Sequence, residues 1–363
     1  MSKLTIIKPT LLLDQAKTRR NIDRMVDKAN RNGVRFRPHF KTHQSAEIGN
    51  WFRQAGVTAI TVSSVDMASY FAQHGWSDIL IAFPVNILEI DALNQLATQI
   101  NLSLLVESAE VVQFLTDNLH GSADVWLKAD VGYHRTGILT SQPDRFVRLV
   151  EQIEATSNLT FKGLLTHAGH SYQARGRAAL HAVYQEMVAQ FKQVQAVLPQ
   201  AQISIGDTPT CSVVDDFSGL DEIRPGNFVF YDVMQRIIGS CTSEQIAVAV
   251  ACPVVAIHVE RGEAIIYGGA VHLSKESFED AGHKTFGDVA YLQADGWSAP
   301  VEGAYVSALS QEHGIVKLPP KVLNSLRVGD ILAVLPVHSC LTVNLLRTYH
   351  TLAGEQITRP VRE

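Results

Sequence analysis

The chain has 363 residues, 46% of them hydrophobic and 18% charged, and 31 basic against 36 acidic residues leave a net charge of −5. That is ample for a buried core and longer than one small domain needs. It offers no basic excess or basic run for nucleic acid or a membrane surface, so a small-molecule substrate is expected. Residues 1–14 hold Lys3 and Lys8 but no long apolar stretch, and no run of about 18 apolar residues reads as a membrane span. The four cysteines, Cys211, Cys241, Cys252 and Cys340, form no Cys-x-x-Cys pair. A cytoplasmic chain with reduced thiols is the expectation, with Cys211, Cys241 and Cys252 as small buried hydrophobes.

Taken in order, the first two-thirds alternate between short apolar β-branched runs and stretches with apolar residues at helical spacing. Leu4 to Ile7 could give a first strand. Ile22, Met25, Val26 and Ala29 form one helical face, and Gly33 stands where a C-cap glycine belongs. Eight strand candidates follow, centred on Phe36, Ile60, Ile81, Leu104, Leu127, Leu164, Ile205 and Phe228. Eight such βα units predict a (β/α)8 TIM barrel over residues 12–236. No Gly-x-Gly-x-x-Gly follows the first strand, which weakens a doubly wound dinucleotide fold. From residue 237 to 363 helical periodicity is scarce. Ile246 to Val259, Ala264 to Ala270, Tyr305 to Ser310, Ile331 to Leu335 and Thr342 to Tyr349 read as strands of an all-β domain, to which residues 1–11 add one more.

Several residues carry chemistry. Lys41, in Arg37-Pro38-His39-Phe40-Lys41-Thr42-His43, lies just past the first barrel strand, where side chains point into barrel active sites. Crowding by His39, His43 and Arg37 favours its neutral amine, the form that attacks a carbonyl. Arg135, in Asp130-Val131-Gly132-Tyr133-His134-Arg135-Thr136-Gly137, offers a planar donor fork to a flat cofactor. Gly206-Asp207-Thr208-Pro209-Thr210 and Gly226-Asn227 suit a phosphate, because barrel phosphate sites often follow strands seven and eight. The Asp207 carboxylate would have to point away from that phosphate. His338 and Cys340, two residues apart on an extended segment, face one side and can share a divalent transition metal, leaving positions open for water or substrate. His167 and Glu312-His313 are further polar candidates.

The lysine motif, the barrel order and the terminal His338-Ser339-Cys340 together resemble the D-serine dehydratase and D-threonine aldolase family. These are fold-type III pyridoxal phosphate enzymes with an alanine racemase-like architecture, and the likeness runs from about Pro9 past Cys340. It implies pyridoxal 5′-phosphate held covalently on Lys41, with Arg135 supporting the ring and Tyr172 contacting the cofactor. Thr208, Gly226 and Asn227 would hold the phosphate, and His338 and Cys340 a metal, Zn²⁺ first and Mn²⁺ or Co²⁺ next. Two positions depart from the family pattern: Asp207 replaces a small hydroxyl residue, and His170 a small or amide one. The implied activity is a lyase on D-configured β-hydroxy amino acids, above all dehydration of D-serine to pyruvate and ammonia. The alternatives are dehydration of 3-hydroxyaspartate, or retro-aldol cleavage of D-threonine with His167 as base. An amino-acid racemase and a non-catalytic cofactor carrier are more distant readings. Within the resemblance, cysteine as the second metal ligand leans towards dehydratases. A homodimer is implied as well.

Overall fold

The computed structural model describes residues 5–360. The chain divides into two compact units. One comprises residues 23–226. The other joins residues 5–22 to residues 227–360.

The first unit is a parallel barrel. Its strands are Arg35–Phe36, Ile60–Val62, Asp78–Pro84, Asn101–Val106, Ala123–Asp130, Leu159–Leu165, Gln202–Ile205 and Glu222–Ile223. From the second strand to the eighth each pairs in parallel with the next, and the last pairs with the first through Glu222 opposite Arg35 and Ile223 opposite Phe36. The remaining gap closes at Pro38–Phe40. There the Thr61 amide donates to the Pro38 carbonyl at 2.9 Å, and the Phe40 amide donates to the Thr61 carbonyl at 2.8 Å. Strands buried on both faces need continuous apolar runs, and Ile79–Ile81, Leu104–Val106 and Val125–Leu127 are all buried. Several strands hand over to a helix through a serine cap. Ser45, Ser64 and Ser108 accept the amides of Ile48, Met67 and Val111, satisfying donors that a helix start leaves open.

The expected eighth strand at Phe228 is not a strand. Residues Asn227–Val229 form a 3-10 turn, and the eighth strand is the two-residue Glu222–Ile223. Its charged residue is buried in a network. Arg37 Nε donates to Glu222 Oε2 at 2.6 Å, Ser204 Oγ donates to Glu222 Oε1 at 2.7 Å, and Arg224 Nε donates to Ser204 Oγ at 2.7 Å.

The second unit is antiparallel. Val248–His258 pairs on one side with Ile331–Pro336 and on the other with Glu263–Tyr267. Through His313–Lys317, Tyr305–Leu309 and Gly287–Gln293 the ring closes. The added N-terminal strand is Thr10–Leu13, antiparallel to Val248–His258 and parallel to Thr348–Thr351. Residues 5–7 are not in a strand, and Leu4 lies outside the described residues. Two other expected strands are shorter than their apolar runs. Glu263–Tyr267 stops at Gly268-Gly269, and Ala270–Leu273 is a helical turn. A Cβ on Gly268 would fall 2.5 Å from Cys252 Sγ, so the chain passes there only as glycine. The Thr342–Tyr349 run is a helix, Ser339–Leu345, followed by the strand Thr348–Thr351. Its β-branched residues favour a strand, but Asp232 overrides them by accepting the Ser339 amide at the helix start at 2.9 Å.

The Arg37–Glu222–Arg224 network yields a stability prediction. Glu222→Ala removes the buried carboxylate between Arg37 and Arg224, leaving Arg37 with Asp78 as its remaining carboxylate, and is expected to cost about 3 kcal/mol, seen as a lower urea midpoint. Glu222→Gln keeps the acceptor and is expected to lose less.

Candidate active site

The barrel closure places Lys41. The turn Phe40–His43 leaves the strand edge directly after the Pro38–Thr61 bond, with Lys41 exposed at its tip. The Lys41 amide donates to His39 Nδ1 at 3.4 Å, so that nitrogen is the unprotonated one. Burial, reinforced by the charges of Lys41, Arg224 and His167, holds His39 well below the ordinary histidine pKa. His167 is held well below it too, by burial and then by Lys41, Arg135 and Lys128. His167 Nδ1 lies 3.2 Å from the Gly206 carbonyl. A carbonyl only accepts, so Nδ1 carries the proton and Nε2 keeps a lone pair able to take one.

The Arg135 loop is built by Asp130. Its carboxylate accepts the amides of Gly132 and His134 at 3.0 Å each and meets His134 Nδ1 at 2.9 Å. Arg135 itself is exposed, its guanidinium 5.3 Å from the Tyr133 ring centre. Tyr172, in the turn Gly169–Gln173, sets its ring 6.0 Å from that of His167.

Thr208 is 1% exposed, and its hydroxyl is buried with no hydrogen-bond partner, a cost that an incoming anion would remove. The Asp207 carboxylate is turned from it, accepting from Ser171 Oγ at 2.8 Å, Thr210 N at 2.9 Å and Thr210 Oγ1 at 2.6 Å. At Gly226 a Cβ would sit 2.9 Å from the His39 carbonyl oxygen, so only glycine permits the approach of this backbone to the lysine turn. Thr208, Gly226 and Lys41 therefore fit a phosphorylated carbonyl cofactor. Asn227 faces other partners. Its Nδ2 donates to Asp232, to Ser339 Oγ at 3.1 Å and to Cys340 Sγ at 3.6 Å.

In the second unit His338 and Cys340 come together, though not on a strand. His338 caps the helix Ser339–Leu345, and Cys340 lies in its first turn. Burial opposes the charged imidazole, but Cys340, Glu276 and Asp232 outweigh it and hold the His338 pKa well above its ordinary value. His338 Nδ1 meets Glu276 Oε2 at 2.6 Å. Among the described residues no group of three or more His, Cys, Asp or Glu side chains is arranged around a metal position. An imidazole and a thiol suit a borderline-soft divalent ion with open positions. Glu312 meets His272 at 3.7 Å.

Sequence reasoning missed Lys128 and Arg224. Arg224 is 2% exposed and donates through Nη2 to the Thr166 carbonyl at 2.7 Å. Lys128 is 5% exposed on the strand Ala123–Asp130. A lone lysine after Val125-Trp126-Leu127 was a readable signal, since a buried strand rarely spends a position on a charge.

A parallel barrel with an antiparallel unit, and a lysine just past the first strand, define the fold-type III class of pyridoxal phosphate enzymes. Residues 13–233 match the family model of the alanine racemase N-terminal domain, and residues 247–352 that of the serine dehydratase domain. D-threo-3-hydroxyaspartate dehydratase of Delftia sp. (strain HT23) is 30% identical over 366 residues, covering 97% of this chain and 96% of its own. D-serine dehydratase of Dictyostelium discoideum is 29% identical, covering 96% and 93%. The solved structure of the Delftia enzyme superposes with a TM-score of 0.90 at 27% identity over 99% of both chains. A cysteine-to-alanine mutant of that enzyme has also been solved in a metal-free form. The chain belongs to the alanine racemase and D-serine dehydratase family and is a pyridoxal phosphate-dependent lyase.

Lys128 yields a pH prediction. Burial first, then the charges of Arg224 and Arg135, push its pKa down to about 7. Below pH 7 the folded, cofactor-free protein carries a buried ammonium that the unfolded chain would solvate. Between about pH 7 and pH 10 only the unfolded chain holds that proton, so stability rises with pH. Relative to Lys128→Met, the wild type is expected to gain a few kcal/mol from pH 6.5 to pH 9.5 in urea unfolding.

Proposed function

We propose that this enzyme dehydrates a small D-configured β-hydroxy amino acid, with D-serine as the leading substrate and D-threo-3-hydroxyaspartate next. Lys41 would hold pyridoxal phosphate, and His338 and Cys340 would hold a divalent metal, zinc first. The observation that carries this reading is the paired imidazole and thiol of His338 and Cys340, an arrangement that alanine-racemase chemistry does not call for.

When bound, pyridoxal phosphate would supply an electron sink at Cα and the metal a Lewis acid for the β-hydroxyl. The Lys41 amine would take the α-proton. Thr208 and the close backbone at Gly226 would anchor the phosphate, while Arg135 and Tyr172 would orient the ring. Asn227, bonded to Asp232 and near Cys340, would steady the metal ligand as well as, or in place of, the phosphate. Loss of the α-proton and the β-hydroxyl from D-serine leaves an enamine. Water then converts it to pyruvate and ammonia, which balances with no external oxidant.

His167 favours a second reading. Its neutral ring keeps an Nε2 lone pair, and a base placed at the β-hydroxyl would take that proton and break Cα–Cβ instead, giving glycine and an aldehyde. The cysteine ligand supports dehydration over this retro-aldol course.

The test incubates the purified protein with D-serine, D-threo-3-hydroxyaspartate and D-threonine, with and without EDTA, measuring keto acid and aldehyde separately. Keto acid from one of the first two is expected. Chelation or His338→Ala should lower it by about a thousandfold, or about 4 kcal/mol of transition-state stabilisation, with the cofactor's visible absorption retained. Full dehydration by the metal-free enzyme would remove the metal from the account, and aldehyde from D-threonine as the main product would select the aldolase reading.

A further inference from the structure

The His338 ring has a carboxylate partner besides Cys340. Glu276 Oε2 lies 2.6 Å from His338 Nδ1. A carboxylate at this distance accepts, so Nδ1 holds the proton and Nε2 is left as the donor atom for a metal. Glu276 is 62 residues from His338 in sequence, and the chain makes specific provision for the contact. Ser274, two residues before Glu276, adopts a left-handed φ of 69°, which costs energy at a non-glycine residue. Its hydroxyl accepts the Glu276 amide at 3.3 Å. Thr342 Oγ1, on the helix that carries Cys340, donates to the Leu273 carbonyl at 3.1 Å. The segment that presents Glu276 is thus fastened to the helix that presents the thiol.

Asp232 is fully buried and holds the start of the same helix. Its Oδ2 accepts the Ser339 amide at 2.9 Å and the Ser339 hydroxyl at 3.3 Å, and it also receives the Asn227 amide group. Glu276 thus holds the imidazole directly, and Asp232 holds the start of the helix that carries the thiol.

We infer that Glu276 is a positioning residue for the metal. By accepting the Nδ1 proton of His338 it sets the tautomer and the ring plane that present Nε2 to the ion. This rests on the proposed metal role of His338 and Cys340. Glu276 acts through His338, so its effect belongs to metal affinity rather than to the rate of the loaded enzyme.

The test uses the full-length protein carrying its cofactor, with Zn²⁺ as probe and chelator competition as readout. Glu276→Ala is expected to weaken zinc binding about 10–100-fold. Glu276→Gln, whose amide oxygen still accepts the Nδ1 proton, should lose clearly less. With zinc raised to saturation, kcat of both variants should return to within a few-fold of wild type. In ¹⁵N-histidine spectra of the zinc-loaded wild type, His338 should show a protected ring Nδ1–H, and Glu276→Ala should lose that protection. Equal zinc affinity in wild type and Glu276→Ala would overturn the inference, as would zinc ligation through Nδ1. Should Glu276→Ala fail to fold, the wild-type spectrum and Glu276→Gln still decide it. A wild type that binds zinc no better than His338→Ala overturns the metal reading instead, so the two failures are distinguishable.

Discussion

A parallel sheet leaves an unpaired edge on each side unless it closes, and closure in this chain falls at one short stretch. Residues 35–36 pair with Glu222–Ile223, and three residues later the chain bonds to Thr61 across the last gap. The His39 amide also donates to the Pro225 carbonyl at 3.0 Å. Lys41 follows immediately, and Gly226, stripped of a side chain, lets the far end of the barrel approach the same turn. Lys41 and Gly226 lie 185 residues apart in sequence, yet the hydrogen bonds that close the barrel bring them together. The buried Arg37–Glu222 pair ties the same two strands through their side chains.

That geometry gathers positive charge. Lys41, Arg135, Lys128 and Arg224 all press on the ionisation of His39, His167 or both. Burial makes the charges of Lys128 and Arg224 costly, and three neighbouring carboxylates are already engaged: Asp130 in its loop, Asp207 at its helix start and Glu222 between two arginines. Such an interior is electrostatically disposed towards a dianionic phosphate and an amino-acid carboxylate. It also keeps both histidines neutral, which leaves His167 available as a base.

Much of this was legible in the sequence. Seven barrel strands lie where apolar β-branched runs alternate with helical spacing, and Gly33, at φ 65°, does end the first helix. The eighth strand was misplaced because Val229, Phe230 and Tyr231 mimic a strand, while the true one, Glu222–Ile223, is two residues long and half charged. Its charge makes sense only beside Arg37 and Ser204, which lie far away in sequence. Leu341, Thr342 and Val343 favour an extended chain after His338, yet residues 339–345 are helical. The helix there depends on Asp232, more than a hundred residues earlier. Lys41, His338 and Cys340 could be singled out as residue types in local patterns. Glu276, Asp232 and Arg224 could not, because each is defined by a partner that only folding supplies. Among the described residues no helix is long and apolar enough to cross a membrane, consistent with the composition.

The central claim is that Lys41 is the residue to which the cofactor is bound. Borohydride reduction of the purified holoenzyme, followed by proteolysis and mass spectrometry, tests it most directly. The account predicts one peptide carrying a reduced phosphopyridoxyl group, with the modification on Lys41, and none after Lys41→Ala. A modification on any other lysine, Lys128 included, or a protein that traps no cofactor at all, would contradict it.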